Sequence, residues 1–368
     1  MRQPWIYSTV VDGIFILAPA LVITALVLAF HTSIAAADHL PTWVWGVLVV
    51  GVDVAHVYST LFRTYADPAE FNARRSLYVL TPLVCWVAGV VLYSFGSIWF
   101  WRAIAYLAVF HFVRQQYGFM MIYGRRDYRL SAISRRIDLV AIYTATLYPI
   151  VYWHTHLPRK FDWFTEQDFF AIPSPWADRI GLAIYIAVLA SYIVKEVVVS
   201  VRRGMFNLPK NALLVGTAAS WWVGIVAFDS DLAFTALNVV AHGIPYMALI
   251  WIYGRNQSAL EPEKRLFQRW PLRRVFSPAA LPVFIIFLVG LAYFEEGLWD
   301  GLVWLDHKSL FAPFHILPLV ENAEVLAILV PLLALPQLTH YALDGFIWRL
   351  NTPDTEWKRI LFLREQAT

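Results

Sequence analysis

The chain has 368 residues, 59% of them hydrophobic and 15% charged, with a formal net charge of +3. A soluble domain averages about 25% charged residues, and several apolar runs here exceed the roughly 18–20 residues that cross a bilayer as a helix. A soluble enzyme, a disordered chain and a secreted disulfide scaffold are excluded. The single cysteine, Cys85, also excludes an internal disulfide and a cysteine-based zinc or iron–sulfur site.

Ten spans are predicted, near 8–30, 42–62, 76–95, 98–123, 137–153, 178–200, 211–228, 232–253, 278–295 and 321–347. All are read as helices, because in lipid each backbone polar group must be satisfied inside its own segment or in a closed barrel. No segment shows the alternation of a membrane barrel. The fold class expected is therefore all-α: a polytopic bundle of about ten transmembrane helices, forming one integral-membrane domain over residues 1–368. Arg2 before an apolar stretch, and "IAAAD" at 34–38, imitate a signal peptide. The stretch is long for a signal and holds Asp12 near its start, so 8–30 is read as a retained span.

Basic residues fall at every second turn. Arg63, Arg74 and Arg75 lie in one connection, and Arg125, Arg126, Arg129, Arg135 and Arg136 in another. Arg202, Arg203 and Lys210 follow, then Arg255, Lys264, Arg265, Arg269, Arg273 and Arg274, and finally Arg349, Lys358, Arg359 and Arg364. The alternate connections carry few or none. The positive-inside rule then places both termini in the cytoplasm, and a bacterial cytoplasmic membrane is expected. Residues 355–366 read as a short amphipathic helix on the cytoplasmic surface. Topology accounts for the basic clusters, so no nucleic-acid partner is expected.

An ionisable side chain inside a span costs roughly 2.5–3.5 kcal/mol on insertion scales and by default marks a function. Four spans each offer a histidine with a polar residue one turn away. These are Asp53 and His56, His111 and Gln115 (with Arg114 beside them), Asn238 and His242, and His340 and Asp344. Each pair shares a helix face. Counted back from the basic loops, all four histidines lie roughly 10–20 Å into the membrane from the cytoplasmic side, and Asp12 falls in the same slab. The other histidines, His31, His39, His154, His156, His307 and His315, map to outer loops or span ends.

Imidazole suits zinc, copper, iron and nickel, and carboxylates extend a site towards iron and manganese. The predicted metal ligands are His56, His111, His242 and His340, with Asp53 and Asp344 ligating directly or orienting an imidazole. Asp12, Gln115, Asn238 and Arg114 are further ligands or supporting groups. Each also has a structural reading: a histidine bonding between helices, Arg114 pairing with an acid, Asn238 bonding a backbone carbonyl, Asp344 reaching the interface.

His56, His111, His242 and His340, spread singly over apolar spans, resemble the pattern of integral-membrane histidine-cluster metalloenzymes. The HxxxH and HxxHH boxes of membrane desaturases are absent. The pattern is more similar to the bacterial retinal-forming β-carotene dioxygenases, and that resemblance implies that the four histidines hold iron. The function expected is a membrane-embedded, iron-dependent oxidoreductase of the oxygenase, hydroxylase or desaturase type. It would carry one or two iron ions, act on a lipophilic substrate from the bilayer and use an electron donor. Two alternatives remain open. One is an intramembrane zinc hydrolase, with Ser59 or Thr60 adding polar groups near His56. The other is a haem-binding or proton-coupled transport protein.

Overall fold

The computed structural model describes residues 3–37, 40–128, 131–260, 275–348 and 356–363. Among these residues the regular structure is helical, with no strand. Twelve helices carry the argument: α1 (Thr9–Ala29), α2 (Thr42–Arg63), α3 (Arg75–Ser94), α4 (Ser97–Tyr128), α5 (Ala132–Thr155), α6 (Pro175–Arg203), α7 (Leu208–Trp221), α8 (Asp231–Leu260), α9 (Pro278–Trp304), α10 (Ala323–Leu333), α11 (Leu335–Ile347) and α12 (Glu356–Leu361).

The ends follow local chemistry. Ser8, Ser131 and Ser174 accept from the amides of Val11, Ser134 and Ala177. Asn207 and Asn322 cap α7 and α10 in the same way. Each satisfies an amide that the first turn leaves without an intrahelical partner. Gly204, at φ +64°, ends α6 in the left-handed conformation that glycine adopts without steric cost. Four stretches widen into π turns: Gly13–Leu17, Gly46–Val54, Trp222–Ala227 and Asp300–Trp304. Such turns recur at functional sites, and the second runs directly into the turn that carries His56.

Six helices are long and apolar enough to cross a membrane: α1, α2, α3, α6, α8 and α9. The pair α10 and α11, bent by 44°, makes a seventh if counted as one span. Pro331 and Pro336 flank the bend, where each removes a backbone donor. The ten-span reading is thus supported only in part. Residues 98–123, 137–153 and 211–228 are helical in α4, α5 and α7 with its π extension, but they do not reach the same apolarity. Polar residues such as Arg102, His111, Arg114 and Gln115 in α4, or Lys210 and Asn211 in α7, dilute them. The described helices fit an integral membrane protein. On α3, Val79, Leu80, Leu83, Val84, Val87 and Val91 are 50–62% exposed along one face, a stripe suited to acyl chains and costly in water.

The chain divides into two compact units, residues 1–40 with 109–245, and residues 41–108 with 246–368. In the first, α5 packs along α6, and α7 packs on both α1 and α5. Val27, Val223, Ala233 and Leu237 form one of its buried clusters. In the second, α9 lies along α2, and α3 packs on α10 and α11. Its core joins Val50, Phe62, Ile250, Phe276, Phe284 and Leu288. The predicted amphipathic tail is helical over Glu356–Leu361, with Trp357, Ile360 and Leu361 buried. Residues 349–355 and 364–368, the basic stretch 261–274, and Arg129 and His39 lie outside the described residues.

Candidate metal centre

In the second unit, α2 supplies His56 and α11 supplies His340. Their ring centroids are 4.9 Å apart and nearly perpendicular. The ring of Tyr246, from α8, lies against both, at 5.7 Å from His56 and 5.0 Å from His340. His340 Nδ1 is 2.7 Å from Thr60 Oγ1, and the same hydroxyl is 3.1 Å from Tyr246 Oη. His56 Nδ1 lies 3.7 Å from Asp53 Oδ1, close enough for attraction but too far for a direct hydrogen bond.

In the first unit, α4 supplies His111 and α8 supplies His242. Their Nε2 atoms are 3.0 Å apart. Phe112 stacks on the His242 ring at 3.6 Å and 7°. Gln115 Nε2 donates to the His242 carbonyl at 2.9 Å, which ties the backbone of α8 to α4 one turn below His111.

All four histidines are at most 2% exposed. Each unit thus carries one close pair of buried imidazoles from different helices, His56 with His340 and His111 with His242, and histidines so grouped fit metal binding. Buried imidazole nitrogens suit a borderline transition metal, whereas calcium and magnesium take oxygen ligands.

The acids and amides named with the histidines are placed differently. Neither Asp53 nor Asp344 is grouped with the histidines as a close ligand. Asp53 leans on His56, and Asp344 pairs with the Tyr246 hydroxyl. Asp12 accepts from the amides of Ile6, Tyr7 and Ser8 and from the Tyr123 hydroxyl, so it ties the N-terminal segment to α4. Asn238 donates to the Phe234 carbonyl on its own helix. Arg114 donates to Tyr143 and lies over the Tyr117 ring at 4.6 Å. Of the outer histidines, His154 Nδ1 lies 2.7 Å from the Ile150 carbonyl and His156 Nδ1 2.9 Å from that of Tyr152, so both rings turn to their own helix.

Two features escape a reading of the sequence alone. Tyr246 looks like an ordinary aromatic of an apolar span, and only its contacts with His56, His340 and Thr60 single it out. The second is a buried ionic network in the first unit. Lys210 Nζ reaches Glu196, Asp127 and Asp138 at 2.6, 2.8 and 3.2 Å, and Lys195 pairs with Asp138 and Glu196. Asn207, Asn211 and Tyr192 complete its hydrogen bonds. In sequence these charges stand at span ends, where they read as solvated. No protein-family model, curated protein or solved structure matches this chain.

Proposed function

We propose that the chain is a membrane-embedded, histidine-ligated, iron-dependent oxidoreductase, of the oxygenase, hydroxylase or desaturase type, that acts on a lipophilic substrate. The observation that carries this reading is that buried imidazoles from different helices meet in each unit, His111 with His242 at 3.0 Å and His56 with His340 at 4.9 Å between ring centroids, and the four histidines are read together as one ligand set. Catalytic zinc sites use three protein ligands and keep the fourth position for water. Four imidazoles would close a tetrahedral zinc ion, whereas an octahedral ion keeps two positions open. Iron therefore ranks ahead of zinc, and redox chemistry ahead of hydrolysis. Four donors are also few for two ions, so a single ion is favoured.

Iron bound there would supply the activation of dioxygen for attack on an unactivated substrate. The chain's own residues do the rest. Asp53 steadies His56 from the Nδ1 side, and Gln115 fixes the backbone beneath His242. Phe112 and Tyr246 wall the imidazoles with aromatic surface and keep water away. The exposed apolar stripe of α3 argues for a bilayer around the protein, and so for a substrate that partitions into lipid. Both termini are read as cytoplasmic in a bacterial inner membrane, with the electron donor on that side, because the basic connections alternate.

The test is oxygen consumption by iron-loaded protein in nanodiscs made from a total bacterial lipid extract, with a ferredoxin and its reductase as the electron source and a lipid-free control for background uptake. Substrate-dependent consumption that vanishes in the His56→Ala variant supports the oxidoreductase. Metal-dependent release of a hydrolysed headgroup without oxygen uptake would favour the hydrolase instead.

A further inference from the structure

We propose that Thr60 and Tyr246 are positioning residues that hold His340 as the Nδ1–H tautomer and leave its Nε2 as the ligand atom. The proposal rests on the metal-centre reading above and names the device that prepares one of its four ligands.

The first observation is where Thr60 sends its hydroxyl. Ser and Thr inside helices commonly bond back to a carbonyl three or four residues earlier. Its neighbours do so: Ser59 Oγ donates to the His56 carbonyl at 2.6 Å, and Thr64 Oγ1 to the Thr60 carbonyl at 2.8 Å. Thr60 Oγ1 turns instead to two side chains, His340 Nδ1 at 2.7 Å and Tyr246 Oη at 3.1 Å. It is 5% exposed, so water does not compete for it.

The second observation sets the direction of the chain. The Tyr246 hydroxyl also pairs with the carboxyl of Asp344, one turn beyond His340 on α11. A carboxylate only accepts, whereas a hydroxyl carries one proton and two lone pairs. Tyr246 therefore donates to Asp344 and accepts from Thr60. Thr60, its proton committed to Tyr246, accepts from His340 Nδ1–H. With Asp344 as the terminal acceptor, the order His340 Nδ1–H, Thr60 O–H, Tyr246 O–H, Asp344 gives every link one donor and one acceptor. Nε2 is then left with its lone pair. Metal-bound histidines commonly hand the distal proton straight to a carboxylate. Here the carboxylate acts through two hydroxyls, so Asp344 can serve His340 without touching its ring.

The test uses the whole chain in detergent, labelled with ¹⁵N-histidine and stripped of metal, with the His340 signals assigned by loss in His340→Gln. The wild type should show His340 as Nδ1–H. Thr60→Val should release it to a tautomer mixture, Thr60→Ser should restore it, and Tyr246→Phe should leave a partial mixture. Cobalt(II) alone then serves as the metal probe through its visible absorption. Thr60→Val should weaken cobalt binding about 10–100-fold, the usual cost of losing such a partner, with rescue by Thr60→Ser. An Nε2–H tautomer in the wild type overturns the proposal without recourse to any variant. So does a Thr60→Val protein that folds, keeps Nδ1–H and binds cobalt as the wild type does. Cobalt binding absent from the wild type, with Nδ1–H intact, overturns the metal-centre reading and with it the ligand role of His340, while the tautomer assignment stands.

Discussion

His111 Nε2 and His242 Nε2 lie 3.0 Å apart, on two different helices and at 1% exposure each. In the metal-free protein one ring must donate to the other, because a hydrogen bond needs one proton between them. The stack of Phe112 on His242 and the bond from Gln115 to the His242 carbonyl hold this geometry from the side and from below. The pair is therefore preorganised: the rings need not be gathered from separate rotamers when an ion arrives.

The carboxylate beside His56 should tune metal affinity without creating it. Asp53→Asn keeps the shape and removes the acid 3.7 Å from His56 Nδ1. Cobalt or iron affinity should fall about 10–100-fold, with stoichiometry unchanged at saturation. Loss of any one of the four histidines should cost more. Titration followed by visible absorption separates the two effects.

The ionic network of the first unit should be a stability determinant independent of metal. Lys210 is fully buried and faces Asp127, Asp138 and Glu196, with Lys195 as the other cation. Lys210→Met removes a positive charge that faces three carboxylates. Breaking a buried ion pair from one side costs about 3–5 kcal/mol. Thermal unfolding in detergent should show that loss, while metal stoichiometry in the surviving folded fraction stays at the wild-type value.

Gly297 marks a close approach within the second unit. A Cβ there would stand 2.3–2.5 Å from ring atoms of Phe314. Gly297→Ala should cost about 1–3 kcal/mol through overpacking. Gly297→Ala combined with Phe314→Leu should recover part of it, and a double-mutant cycle on unfolding midpoints checks the coupling.

The segment between α5 and α6 should carry a small pH dependence. Burial, with Asp168, Glu166 and Asp231 nearby, pushes the Asp162 carboxyl up to about 6. A raised carboxyl binds its proton more tightly in the folded state. Its stabilising contribution is complete below the ordinary value of 3.8 and is lost as pH rises through about 6. Asp162→Asn should therefore raise the unfolding midpoint at pH 7.5 and leave it nearly unchanged at pH 4. Solvent screening limits the effect to about 1 kcal/mol at most.

The four histidines could be singled out in sequence, and the structure shows each of them buried, because the cost of burying polar groups in lipid makes exceptions informative. His56, His111, His242 and His340 stand out from apolar surroundings, and counting residues back to the basic loops put them at one depth. Helix class was legible for the same reason, since a segment in lipid has few other ways to satisfy its backbone. The number of spans was less so. Polar residues that serve the interior of α4, α5 and α7 lower their apolarity, so runs that look like spans are helices of mixed character. Thr60 was visible only as a polar neighbour of His56, and Tyr246 not at all. Their importance depends on a hydroxyl turning away from its own helix, which residue spacing does not encode. The Lys210 network was missed because a lysine at a span end reads equally well as an interfacial charge, and only packing shows it buried.

The most direct measurement is metal content by mass spectrometry on detergent-purified wild type and on the His111→Ala, His242→Ala double variant, with folding of both checked by circular dichroism and gel filtration. One iron per chain in the wild type, lost in the folded double variant, is the predicted result. Stoichiometric zinc would contradict the assignment of iron. An absence of stoichiometric metal, after reconstitution with iron, zinc and copper in turn, would contradict the metal centre itself.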